Sequence, residues 1–374
     1  KPSSAASDVY KRQGMNQPLF SMRTLYVSRT PADSSVYPTI SAALDAIPMA
    51  FNEPACIYLA PGIYHEKITI NKPYLTILGT GKSNKDVVLT YDDYALAPMA
   101  DIGKLGTFRS YSVFIDTHDV TLQNLTIENA SGDSLTHGQA IALYADGDRL
   151  VIDSCRLIGH QDTLFTGPLP PKEIEPDGFI GPKQFAPRIN GRQYYKNCYI
   201  CGDIDFIFGS ATAYFENCVI ESLCHTTNVN DIQGYITAAS TPESQEYGYV
   251  FSNCKLISKD CPPNSVYLGR PWRNYAKTVF LECALGNHIH ECGFHDWKKE
   301  DARNTVLYAE YRNYPASSAD TTSNNRSLND DIHCIDGRCI PYPHRAEYVC
   351  ELDAVQAEHF SKENVLSGAD HWNP

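Results

Sequence analysis

The chain has 374 residues, 43% of them hydrophobic and 20% charged, with a net charge of −13; that is long enough for one large domain or two medium ones. Its surplus of acid repels polyphosphate, which argues against nucleic acid as a partner, and it would repel a densely charged polycarboxylate too, so an acidic polymer is best met in a neutralised form. No apolar run approaches the ~20 residues of a membrane helix, so no membrane partner is expected.

Residues 1–20 carry no periodicity and no charged-then-apolar signal pattern, and read as a disordered or non-native tail. Pro38 to Ile47 then spaces Ile40, Leu44 and Ile47 as a short amphipathic helix ended by Pro48. Strands follow at Cys56–Leu59, Lys67–Ile70, Tyr74–Leu78 and Val87–Thr90, with a Pro61-Gly62 turn after the first.

A repeat comes next: an apolar or aromatic pair, two residues that include Asn, Asp or Glu, and a Cys. It occurs at Val151–Cys155, Tyr194–Cys198, Tyr214–Cys218, Val250–Cys254 and Val279–Cys283, and Val120–Leu125 is a version with Leu in place of Cys. The cysteine spacings are 43, 20, 36 and 29 residues. The shortest is about one coil of a solenoid, and the others add loops to single coils. Stacked coils bury a continuous apolar face that no coil buries alone, so the fold class expected is an all-β parallel β-helix with a short N-terminal capping helix and long loop insertions. A β-sandwich is the competing architecture, but it accounts less well for the recurring Asn-Cys bend. The solenoid is expected over residues 21–345 as one catalytic domain, with residues 346–374 as a tail packed on it and Ala354–Phe360 as a final helix. The largest insertion, Gly167 to Arg192, holds six prolines and is expected to wall a cleft.

The repeat uses five cysteines as small inward side chains. Thirteen in all is an odd number for a disulfide framework; the compartment stays open between secretion and a reducing cytosol, with the cytosol favoured. Cys198-x-x-Cys201 points to opposite strand faces and does not suit a metal. His333, Cys334, Cys339 and His344 have better zinc spacing but lie in an irregular segment, so neither a metal nor a cofactor is expected. Sequons stand at Asn124, Asn129 and Asn325 and matter only in a secreted protein.

Four short stretches set polar groups into apolar strands: Gly138–Leu143, Gly159–Phe165, Gly202–Gly209 and Tyr267–Trp272. In Gly202-Asp-Ile-Asp-Phe-Ile-Phe-Gly209, strand alternation would put Asp205 and Ile207 on one face and Ile204, Phe206 and Phe208 on the other. A carboxylate there is costly unless held by a cation or donors; the plain structural alternative is an Asp that caps a turn. Successive coils would bring two carboxylates, two carboxamides and one guanidinium onto one surface.

With Gln161-Asp-Thr-Leu164, Asp205-Phe-Ile-Phe-Gly209, Leu268-Gly-Arg-Pro-Trp272, Pro61–Ile68 and Tyr308–Tyr311, the chain resembles the pectin methylesterases from about Ser41 to Tyr311. The resemblance implies a metal-independent carbohydrate esterase on a right-handed parallel β-helix, acting on methylated galacturonate units of a pectic polysaccharide or oligogalacturonate and releasing methanol. It assigns Asp205 as nucleophile, Asp162 as general acid and then base, Gln139 and Gln161 as oxyanion donors, and Arg270 as the group that holds Asp205 ionised. Trp272 becomes part of the sugar floor, with Phe208 and Thr107 as further lining. His160 stands where relatives often carry Tyr and is not expected to act in catalysis, and Asn228–Ser240 matches only at Thr237-Ala238. The insertion is far longer than in plant-type members, as is common in bacterial ones. Two carboxyls share the work only if their pKa values are pushed apart, Asp205 lowered by Arg270 and Asp162 raised by an apolar wall. A β-helical lyase or glycosidase and a non-catalytic carbohydrate-binding β-helix are the alternatives, and a monomer is expected.

Overall fold

The computed structural model describes residues 22–49, 53–100, 103–316 and 345–374. The tail at 1–20, Asn325 and the His333/Cys334/Cys339/His344 group therefore lie outside the described residues. The first helix spans Ile40–Asp45, shorter than the apolar spacing suggests, because Thr39 already caps it by accepting from the Ala42 amide. Ile40, Ala43 and Leu44 are buried, and the helix packs on strands Arg23–Val27 and Ile68–Ile70 at the N-terminal end of the solenoid.

From there the chain winds. Three sheets of twelve, seven and nine strands run along it, and a full coil gives one strand to each. One coil is Leu150–Asp153, Arg156–Ile158 and Leu164–Thr166. The next is Arg192–Lys196, Tyr199–Gly202 and Ile204–Gly209. All ladders of the three sheets are parallel; the antiparallel pair among the described residues is the short Pro98–Met99 with Gly103–Lys104. This is a parallel β-helix, and the sandwich alternative falls, since its sheets would be antiparallel.

The repeat stacks in register in the twelve-stranded sheet, where Val151, Tyr194, Tyr214, Val250 and Val279 pair in turn. One residue on, Tyr195, Phe215, Phe251 and Phe280 point inward and stack at 4.6, 4.4 and 4.5 Å between ring centroids. Such spacing follows from the ~4.8 Å between neighbouring strands. The five cysteines are buried free thiols, as expected. Each also donates to a carbonyl of the preceding coil, as Cys198 does to Ile152 at 3.2 Å.

The Asn before the Cys serves the bend mainly through its backbone. Asn124, Asn197, Asn217 and Asn253 all take a left-handed backbone, with φ between 52° and 54°, a region Asn tolerates better than most residues. Their backbone amides donate to the next coil; Asn124 adds side-chain bonds to Gly79 and Gly81. Asn129 is buried with its amide shared among three carbonyls, so neither described sequon presents a free carboxamide. Near the C-terminus, helix Ala354–Glu358, which ends short of the expected Phe360, and helix Lys362–Leu366 lay Ala357, Val365 and Leu366, with Phe360 from the turn between them, on the outward Tyr194, Tyr214, Val250 and Val279.

Because Phe251 fills the stack between Phe215 and Phe280, Phe251→Ala is expected to destabilise by about 3–5 kcal/mol, read as a lowered urea midpoint; Val250→Ala on the outer face is expected to cost less.

Candidate active site

The seven-stranded sheet carries the polar stretches. The register that pairs Leu164 with Ile207 sets Asp162 beside Asp205 one coil on, and the Asp162 amide donates to the Ile204 carbonyl at 3.0 Å. The Ala140 amide donates to the Gln161 carbonyl, which seats Gln139 on the preceding coil. Arg270 follows strand Val266–Gly269, two coils beyond Asp205 and three beyond Asp162, its amide held by the Thr237 carbonyl at 2.9 Å. Gln139, Gln161, Asp162, Asp205 and Arg270 line one cavity of about 690 Å³, and Thr107, Phe208 and Trp272 line it too.

Strand alternation fails at the central octapeptide. A bulge lies between Ile204 and Ile207, and Asp205 has φ 49°. Phe206 and Ile207 both enter the solenoid core, while Phe208 joins the aromatic cluster of the cleft. Asp205 therefore shares the cleft with Phe208 and not with Ile207, because the bulge re-aims its side chain. Asp162 is left-handed as well, at φ 65°. Gly202 and Gly209 frame the bulge: a Cβ on Gly202 would strike Phe206 and the His160 carbonyl, and Gly209 has φ 130° with the Thr166 carbonyl against it.

Arg270 grips Asp205 with two parallel bonds, Nε to Oδ1 at 2.8 Å and Nη2 to Oδ2 at 2.7 Å. Its guanidinium lies between the rings of Tyr235 and Trp297, 3.8 and 3.7 Å from their centroids. This stacked, bidentate geometry suits Arg and not Lys. The turn-capping alternative for Asp205 does not describe this arrangement.

Burial drives both carboxyls up. Asp162 stands well above the ordinary carboxylate value, through burial first and the neighbouring Asp205 second. At Asp205 burial is also the largest influence, and Arg270 opposes it without cancelling it, so Asp205 ends raised as well. The expectation that Arg270 would bring Asp205 below its usual value is thus corrected: desolvation outweighs the ion pair. The order of the two survives, with Asp162 the better proton holder. Asp203, two residues away, goes the other way. Burial pushes it up, but bonds from His160, His225, Ser134 and the Ile204 amide hold it down at about 2. His160 thus faces Asp203, with Nδ1 3.8 Å from Oδ2.

Among the described residues, the Gln139 and Gln161 carboxamides make no hydrogen bond within the protein, so both remain available as donors. Phe108, Phe165, Phe179, Phe208 and Trp272 form the aromatic floor, Phe179 coming from the insertion, whose residues 173–180 wall the cavity. Sequence reasoning missed Tyr235, Trp297, Phe108, Phe179, Arg273 and Lys299. Tyr235 was findable, since its strand pairs it between Ile204 and Tyr267; Trp297 lies in a turn outside the repeat and gives no pattern. No group of three or more His, Cys, Asp or Glu able to hold a metal occurs among the described residues.

A family model described as pectinesterase matches residues 27–168 and 188–329. The chain belongs to the pectinesterase family. The break in that match, 169–187, falls within the cleft insertion. Pectinesterase 31 of Arabidopsis thaliana is 32% identical over 318 residues, covering 83% of this chain and 90% of that protein. Among solved structures, pectin methylesterase PemA from Erwinia chrysanthemi superposes with a TM-score of 0.69 at 26% identity, over 95% of this chain and 99% of that one. A pectin methylesterase in complex with a hexasaccharide superposes with a TM-score of 0.70 at 26% identity, over 95% of this chain and 100% of that one. The chemistry of the family is ester hydrolysis, which sets aside the lyase, glycosidase and binding-only alternatives.

The Asp162 carboxyl binds its proton more tightly folded than unfolded, so its stabilising contribution is complete below about pH 4 and is lost as pH rises through its raised folded value. Asp162→Asn removes that loss. Its thermal midpoint is expected to match wild type near pH 4 and to exceed it at pH 8, measured by calorimetry at both.

Proposed function

We propose that this pectinesterase hydrolyses methyl-esterified galacturonate units of pectin through Asp205 as nucleophile and Asp162 as proton carrier. The observation that carries the reading is the Arg270-gripped Asp205 beside the more strongly raised Asp162 in one cavity. In it, an Asp205 oxygen attacks the ester carbonyl and the carbonyl oxygen becomes an oxyanion. The free carboxamides of Gln139 and Gln161 donate to that oxyanion, a role amides fill without competing for the proton. The C–O bond to methoxide breaks, Asp162 gives up its proton, and methanol leaves behind an Asp205–galacturonoyl anhydride. Asp162, now a carboxylate, takes a proton from water, the hydroxide attacks the sugar's acyl carbon, and Asp205 departs as carboxylate. Arg270 holds Asp205 in one orientation through both steps. The aromatic floor offers flat faces to the C–H groups of sugar rings, and the saccharide-bound relative of the same fold supports a polymeric ligand along the cleft.

Asp205→Ala is expected to lower methanol release from methylated pectin by at least about 10⁴-fold with the fold kept, as read by circular dichroism; wild-type release from a folded variant overturns the nucleophile assignment. Gln161→Ala is expected to lower kcat by about 10²–10³-fold. The pH profile of kcat/KM should be bell-shaped, falling on the acid side as Asp205 takes a proton and on the alkaline side as Asp162 loses one. Since burial raises Asp205, the acid limb is expected above the usual carboxylate range, and Arg270→Gln, which removes the opposing cation, should move it higher still.

A further inference from the structure

Three side chains outside the cavity converge on Asp203, which is 1% exposed. Ser134 Oγ donates to its Oδ2 at 2.5 Å, and His225 Nδ1 and His160 Nδ1 lie 3.3 and 3.8 Å from that same oxygen. Oδ1 accepts from the Ile204 amide at 2.6 Å, directly before the bulge at Asp205. The Asp203 amide donates to the His160 carbonyl at 3.2 Å, and its carbonyl accepts from the Tyr235 amide at 3.1 Å. Ser134 stands five residues before Gln139, His160 two before Asp162, and Asp203 two before Asp205, on three successive coils. His225 precedes strand Gly234–Ala239 of the next coil. None of the four lines the cavity of the two acids.

The group is not a second hydrolytic triad. A serine primed for attack gives its hydrogen to an imidazole whose other nitrogen is held by the acid. Here the Ser134 hydrogen goes to the carboxylate, and Asp203 and Ser134 both face one nitrogen of His225, Nδ1, with Ser134 Oγ at 3.0 Å. That nitrogen therefore carries a hydrogen shared between them. The bond to Asp203 in turn raises His225 against burial. A fixed negative charge thus stands behind both reacting acids. Burial comes first in raising Asp162 and Asp205, with Asp205 next at Asp162, and the Asp203 charge adds to the rise at both. The other charges facing the group are the exposed Asp133, which fronts His160 and His225, and His137 on the same short helix.

We propose that Asp203 is a positioning residue for the ester hydrolysis: it fixes the bulge that aims Asp205 and, balanced by His225 and His160, sets the charge behind both acids. This rests on the roles proposed above for Asp205 and Asp162. Oδ1 takes the amide hydrogen just ahead of the left-handed Asp205, so Ile204 cannot turn without breaking a charge-assisted bond. Oδ2 ties the coil of Gln139 to the coil of Asp205 through Ser134, and the Asp162 coil between them is held at the His160 carbonyl. The coils that carry the oxyanion donors and the acids are pinned from behind as one unit. A protonated His225 offsets Asp203. As pH rises and that proton leaves, the full negative charge faces the acids, which favours the protonated Asp162 that methanol departure needs.

The test is the pH profile of kcat and KM for methanol release from methylated pectin in three variants, each checked for folding by circular dichroism. Asp203→Asn keeps an acceptor for the Ile204 amide and removes the charge, so both limbs of kcat/KM are expected to move to lower pH by at least about 0.5 pH unit. His225→Gln removes the balancing cation, and the acid limb is expected to move to higher pH. Asp203→Ala loses the acceptor as well; its kcat at the optimum is expected to lie at least about 10-fold below that of Asp203→Asn, with KM little changed. A merely structural contact would lower stability and leave the limbs in place. Limbs at wild-type pH in Asp203→Asn, acid limbs that move the same way in Asp203→Asn and His225→Gln, or equal kcat in the folded Ala and Asn chains overturn the proposal; the first two decide it even where Asp203→Ala fails to fold. Methanol release by Asp205→Ala at the wild-type rate would instead overturn the function proposed for the cavity.

Discussion

Every polar group in the cleft owes its place to the parallel register between successive coils. Neighbouring strands are held ~4.8 Å apart by their ladders, so residues far apart in sequence but equal in coil position become lateral neighbours. Asp162 and Asp205 are one coil apart, as Leu164 and Ile207 show. The inward Tyr195, Phe215, Phe251 and Phe280 stack by the same rule. Core and site are thus two faces of one periodic object, and the rigidity of the first fixes the spacing of the second.

Within that lattice, reactivity comes from departures from it. A regular strand would alternate in and out, and Asp205 would share a face with Ile207. The bulge at Asp205 and the left-handed backbone at Asp162 break the alternation on two adjacent coils. Both carboxyls thereby turn toward a partly dry cleft, where burial raises them. Arg270 opposes the rise at both but hydrogen-bonds Asp205 alone, and that asymmetry separates the two adjacent acids. The guanidinium is itself fixed by Tyr235 and Trp297, so the pair is oriented from behind as well as in front.

The cleft wall has a different origin from the floor. Strands of the shared framework supply Phe165 and Phe208, and the segment skipped by the family match supplies Phe179 with Glu175 and Asp177. Arg273 ties the foot of that segment to the Trp272 backbone. Loops added to a coil leave the ladders intact, which lets the reacting groups stay while the surface met by the rest of the polymer changes.

The repeat of apolar pair, bend residue and Cys was legible because it recurs, and recurrence is what a solenoid requires. From it came the parallel β-helix, the inward thiols and the gathering of residues 139, 161, 162, 205 and 270. The bend chemistry was half legible: Asn marks the turn, but its backbone and not its amide does most of the bonding. Hidden from the sequence were the bulge, the sandwich around Arg270, and the place of Arg273 and Lys299 in the cleft wall. Trp297 and Lys299 come from a turn with no period, and their approach to Arg270 and Trp272 depends on how that turn folds back across the coils. Burial was hidden for the same reason. Whether desolvation or the ion pair governs Asp205 depends on how much water surrounds it, a property of the packed cleft and not of any stretch of chain. Periodicity is a local quantity and can be read in one dimension; distances across coils and exclusion of water exist only once the coils are stacked.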